Sequence, residues 1–410
     1  MPPMPRVPLA WCNLTHDRLR FALFALGIAF AVILMFVQLG FRNALLDSNT
    51  QLHDAFRCDL VLTAPGRQAA AMREAFPRRR LEQVRAVPGV AEVYPLYVEQ
   101  AVSLLRDTNP DPAARQPARH VRVLGVDPAA GLLALPELAP GSETARRLTE
   151  RGTALFDRRT KPDPDRPGQT LYGPLAAGVE SELAGSRIRF VGSFELGTDF
   201  TTDGTLIVGE DTFLDVLRRP FTFPSNSPAA TVDYGLVRLV PGADPRAVMA
   251  AIRRAVATGE PDPDVEVFTL DELKGRERAF WLNNTPIGFA FGFGMFMGFA
   301  VGLVICYQIL SGDVTDHLPE YATLKAMGYG NGYLAWVVIQ ESLILAVIGY
   351  VFGLVVAWGA YTLLTATTGL PMRMTLDRAA MVFAATVVMC CLSGLVALVS
   401  LLRADPADVF

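Results

Sequence analysis

Four apolar stretches, each long enough to cross a bilayer as a helix, limit the architectures open to this chain. A hydrocarbon core of ~30 Å needs about 20 helical residues. Residues 21–41, FALFALGIAFAVILMFVQLGF, contain only Gln38 as a strongly polar member. The other stretches cover residues 287–310, about 334–364, and 379–402. A secretory signal would have a shorter apolar core and a small-x-small cleavage site. The first stretch instead runs on into FRNALLDSN, which reads as an uncleaved anchor. The expected fold is a membrane protein with four transmembrane α-helices and a large α+β extracytoplasmic domain inserted between spans one and two.

The boundaries follow from these runs. Residues 1–20 form a cytoplasmic N-terminal segment, and the spans cover 21–41, 281–310, 333–364 and 379–402. The insert covers 42–280, a cytoplasmic loop 311–332, an extracytoplasmic loop 365–378 and a cytoplasmic tail 403–410. Charge supports this orientation through Arg6, Arg18 and Arg20 ahead of the first span. Arg373 and Arg378 in the loop after the third span pull the other way. An even number of spans returns both termini to the same side.

Within the spans, small residues recur at a spacing of four. Gly288 and Gly292 form one set, Gly294, Gly298 and Gly302 a second, and Gly349 and Gly353 a third. That spacing lets helix backbones approach closely. It leaves open whether the partner helix belongs to this chain or to a second copy. The third span also carries Gln340 and Glu341 near its start, where an acid can sit at the interface.

The insert alternates short strand-like runs with helical ones. CDLVLTAPG, HVRVLGVDP, SRIRFVGSFEL, GTLIVG and DVEVFTL read as strands; RRRLEQVR, DTFLDVLRR and PRAVMAAIRRAVA read as helices. AEVYPLYVEQAVSLL reads as one long strand, and residues 108–119 and 160–168 as exposed loops. LDELKGRERAFW is a helical run leading directly into the second span. Two subdomains are expected from the length.

No pattern in the chain carries catalysis. Its three lysines, Lys161, Lys274 and Lys325, do not complete GxxxxGK[ST], and HExxH and GxSxG are absent. The four histidines lack ligand spacing, and the five cysteines form no framework. The net charge of -4 gives no sign of a nucleic-acid partner. No metal, cofactor or enzymatic activity is expected of this chain.

The loop between spans two and three is more telling. In SGDVTDHLPEYATLKAMGYGNGYL, the centre reads as a capped helix with Pro319 and Glu320 in its first turn and Gly328 as a left-handed stop. Tyr321, Leu324 and Met327 share a face. Asp313, Asp316 and Glu320 against one lysine favour docking on a protein over lying on headgroups.

This loop, with PLAWCNLTHDRLRFALFALGIAFAVILMFVQLGFRNALLDSN at the N-terminus, resembles the DevC family of ABC-transporter permeases, within the wider FtsX/MacB type. The resemblance implies a non-catalytic permease subunit of an exporter in the bacterial inner membrane. Its ATPase, holding ATP and Mg, would be a separate DevA-like chain. The coupling helix touching that ATPase would comprise Leu318, Pro319, Glu320, Tyr321, Ala322, Thr323, Leu324, Lys325, Ala326, Met327 and Gly328. The insert would be a MacB-like periplasmic core domain. Further implied partners are a second copy (a homodimer), a DevB-like membrane-fusion adaptor, a TolC-like outer-membrane channel and membrane lipids. The cargo would be lipid-like or amphipathic. The alternative is an FtsX-like regulator of a periplasmic cell-wall hydrolase, a role for which the insert is larger than needed.

Overall fold

The computed structural model describes residues 18–218, 230–257 and 263–403. Most of the N-terminal segment, with Arg6 and Cys12, and all but the first residue of the tail lie outside the described residues. Four helices are long and apolar enough to cross a membrane: Phe21–Asp54, Pro286–Asp316, Asn331–Thr368 and Leu376–Val399.

The first helix runs from Arg18 to Asp54 without interruption, well past the expected end at residue 41. The sequence RNALLDSNTQLHD holds neither Gly nor Pro, so nothing local stops it. Ala44, Leu45 and Leu52 are buried, so packing favours the extension. The second span departs from expectation in the opposite sense. The preceding helix, Leu270–Asn283, starts on a capping box between Thr269 and Glu272 but does not lead straight into the span. It ends at Asn283, and Pro286 opens the next helix. A proline ring disfavours helical geometry at the residue before it, which places the break at Asn284–Thr285.

Within the helical bundle, close approach depends on glycine. A Cβ added at Gly353 would lie 2.6 Å from Val32 Cγ1 and 3.1 Å from the Ala29 carbonyl oxygen. At Gly349 it would meet Ile28 Cγ2 at 2.5 Å. Gly294 faces Gln38, Gly298 faces Leu34 and Met35, and Gly302 faces Ala31 and Met389. Five of the seven glycines therefore face neighbours within this chain. Gly288 is buried, whereas a Cβ at Gly292 would meet nothing within 4 Å among the described residues. The Tyr361 hydroxyl donates to the Phe36 carbonyl and also joins the first and third spans. Gly353→Val is expected to force these spans apart and cost about 1–3 kcal/mol. A thermal melt of the detergent-solubilised chain checks this; an unchanged midpoint refutes the packing role.

Glu341 is fully buried among its neighbours in the bundle. Its neighbour Ser342 bonds the Val338 carbonyl, and Gly394 packs over that hydroxyl.

The insert is built on one continuous sheet of eleven strands among the described residues. In spatial order these are Glu266–Thr269, Leu60–Thr63, Tyr234–Leu239, Val90–Glu99, Arg122–Val126, Thr205–Gly209, Thr153–Asp157, Ser186–Phe194, Glu180–Leu183, Leu104–Leu105 and Arg119–His120. The two subdomains expected from length share this sheet. It is joined where Tyr97, Val98 and Glu99 pair with Gly125, Leu124 and Val123. The expected long strand divides into Val90–Glu99 and Leu104–Leu105, because Glu99 Oε1 accepts from the backbone of Gln100 and Ala101 and turns the chain. Apolar clusters cover both faces, one containing Tyr97, Phe190 and Phe213, the other Phe56, Phe194 and Tyr234.

The segments expected as exposed loops are partly anchored. Asp107, Thr108, Asn109 and Asp163 are buried. Arg166 bridges Asp107 at 2.7 Å and Asp163 at 2.6 Å. Backbone amides and Arg166 outweigh burial and hold the Asp107 carboxyl below the usual carboxylate range.

Candidate coupling helix and buried polar groups

A separate helix, Leu318–Ala326, stands between the second and third spans. Proline near its N-terminus supplies a pre-set φ where no backbone donor is needed. The Glu320 carboxylate lies 3.5 Å from His317 Nδ1, and Thr323 bonds the Pro319 carbonyl. Gly328 has φ +94°, and its N–H bonds the Lys325 carbonyl, so the helix ends in the left-handed geometry that glycine permits. Pro319, Glu320, Thr323, Lys325, Ala326, Met327 and Gly328 are exposed. The side chains of Leu318, Tyr321, Ala322 and Leu324 lie outside the described residues, so the expected apolar face is represented here by Met327, 63% exposed. The helix thus presents a short exposed surface with one acidic end, suited to a groove on another protein.

The insert holds polar groups that sequence reading passed over. His53 lies in the last turn of the first helix, fully buried, edge-on to Phe56 and Tyr234. Neither ring nitrogen has a hydrogen-bond partner among the described residues. Burial first, then the nearby charges of Arg122, Lys274 and Arg67, pushes its pKa down to about 3. Glu277, on the helix before the second span, accepts from Ala70 N and Trp281 Nε1, both at 2.8 Å. Burial raises its pKa to about 7 against the pull of those hydrogen bonds. Lys274 of the same helix pairs with Asp54 at 2.6 Å. The segments entering and leaving the insert are thus tied together by charge as well as by apolar contact. No spacing rule flags such residues, because their partners are distant in sequence.

Two further placements matter. Residues 364–371, in and beside the loop expected at 365–378, cluster with the insert; Gly369 accepts from Thr198 Oγ1 at 3.2 Å. Cys58 is half-buried, and burial followed by the Asp59 charge pushes its thiol up to about 12. That makes it a poor target for thiol reagents at neutral pH. No group of three or more metal-ligand side chains gathers among the described residues.

Comparison with known proteins places this architecture. The FtsX-like permease C-terminal family profile matches residues 292–406, which include the candidate coupling helix. The MacB-like periplasmic core domain profile matches residues 21–255, more than half of the chain. Among solved structures, the periplasmic region of MacB from Actinobacillus actinomycetemcomitans is similar, at 8% identity and a TM-score of 0.36. That match covers 54% of this chain and 92% of the other. The extracellular domain of the noncanonic ABC-type transporter YknZ from Gram-positive bacteria matches at 10% identity and a TM-score of 0.33, covering 52% and 99%. No curated protein sequence matches the chain at a significant level. With four membrane helices and a MacB-like periplasmic α+β domain after the first of them, the chain belongs to the FtsX/MacB-type permeases of ABC transporters, membrane subunits that work with an ATPase.

Proposed function

We propose that this chain is a DevC-like exporter permease, driven by a separate DevA-like ATPase that docks on residues 318–328. The single observation carrying the reading is the exposed, glycine-terminated helix between the second and third spans. ATP-driven movement of the docked subunit would pass through the spans to the insert. The uninterrupted Arg18–Asp54 helix supports that reading, since a continuous helix transmits displacement along its axis. In this reading both termini are cytoplasmic, two copies form the core, and a DevB-like adaptor and TolC-like channel carry a lipid-like or amphipathic cargo outward. The large sheet-bearing insert favours this over regulation of a cell-wall hydrolase, since it offers an adaptor a broad folded surface.

Glu320→Lys combined with Met327→Asp tests the docking surface. Both side chains are exposed, so the helix and spans should fold normally. Co-purification of the ATPase is expected to fall at least ~10-fold, as removing two interface contacts of more than 1 kcal/mol each implies. Transport-coupled ATP turnover should fall with it. Undiminished co-purification and turnover would sink the docking assignment.

A further inference from the structure

The helix Asn331–Thr368 has 38 residues, far more than a hydrocarbon core requires. Two of its tryptophans are widely exposed, Trp336 at 54% and Trp358 at 63%. They stand 22 residues apart. At ~1.5 Å rise and ~100° per residue, that separates them by about 33 Å along the axis and only about 40° around it. They therefore share one face, at a spacing close to the ~30 Å of bilayer hydrocarbon. Between them the exposed residues are apolar, among them Val347, Val351, Phe352 and Val355. Outside them the composition changes. The rings of Tyr329 and Tyr333 meet at a tilt, centroids 4.7 Å apart, before Trp336, and four threonines fall between Thr362 and Thr368 after Trp358.

We propose that this face is a lipid-contact surface whose two tryptophans sit in the two headgroup zones of the bilayer, fixing the depth of the third span. Tryptophan favours that zone because its ring is apolar and its N–H seeks a polar partner. The partner is phospholipid, chosen over a second copy of the chain because protein contact does not require a spacing equal to the hydrocarbon thickness. Residues 359–368 then stand beyond the hydrocarbon. So does the Tyr361–Phe36 hydrogen bond, one turn past Trp358, which marks the exit of the first span. Arg42, six residues past Phe36, falls at the level of lipid phosphates.

Tryptophan fluorescence of the full chain in vesicles tests this, using phosphatidylcholine brominated either near the glycerol end or near the chain terminus. The emission lost in Trp336→Phe and in Trp358→Phe, each subtracted from the parent, isolates each site from Trp11 and Trp281. Both components should be quenched strongly by shallow bromine and weakly by deep bromine. Val347→Trp, midway between them, should show the reverse. Equal quenching of all three by deep bromine would overturn the proposal. So would protection of Trp336 and Trp358 from both lipids, the result expected if a second copy covers this face.

Discussion

Asp233→Ala is expected to destabilise the insert by about 3–5 kcal/mol, the usual cost of stranding a buried charge. The Asp233 carboxylate is enclosed and accepts from Arg67 at 2.5 Å, Arg218 at 2.6 Å and Val98 N at 3.0 Å. Arg67 also lies over the Tyr234 ring, 4.9 Å from its centroid. Removing the carboxylate leaves two buried guanidiniums close together in a medium that solvates neither. The exposed Arg147–Glu143 pair offers the contrast, since such helix-surface pairs contribute only about 0.3–0.5 kcal/mol. Urea unfolding of the full chain in detergent distinguishes the two. Equal, small losses for Asp233→Ala and Glu143→Ala would refute the ranking.

The second large effect concerns pH. Between pH 4.5 and 7 the native state keeps a proton on Glu277 that the unfolded chain has released, so this contribution shrinks as pH rises. His53 acts in the opposite direction. Between its ordinary pKa of 6.5 and about 3 the unfolded chain binds a proton that the buried ring refuses, so that contribution shrinks as pH falls. Each slope is about 1.4 kcal/mol per pH unit. Where the windows overlap, from pH 4.5 to 6.5, the two cancel. Folding then neutralises both groups with no net proton exchange from this pair.

Single substitutions should expose the hidden slopes. His53→Leu leaves the Glu277 dependence, so stability relative to the parent should decline by on the order of 3 kcal/mol from pH 4.5 to 7. Glu277→Gln leaves the His53 dependence, and relative stability should decline by on the order of 3 kcal/mol as pH falls from 6.5 to 4.5. Any other group that titrates in this range is common to parent and variants and drops out of the difference. Denaturation midpoints across this pH range provide the measurement. Curves for the variants that run parallel to the parent would show that neither group is held as described.

Much of the architecture was legible because lipid imposes it. Every backbone group in the hydrocarbon must be satisfied within its own helix, so run length alone locates four spans. The helix between the second and third spans was legible for a related reason: Pro319 and Gly328 punctuate it through local φ preferences that need no tertiary partner. What the sequence left open was set by contacts between distant residues. Glycine spacing could not choose partners; Val32 opposite Gly353 and Met389 against Gly302 did, through the fit of one helix into another. Nothing local marked residue 41 as a helix interior, or His53 and Glu277 as buried, because burial depends on which elements cover a side chain. The sequence by itself thus determined the number of spans, the inserted domain and the exposed helix, since each follows from hydrocarbon thickness or backbone geometry. Only the tertiary structure decided which glycines seat neighbours, how far the first helix runs and which charges lose water, since desolvation and packing exist only once the chain has closed on itself.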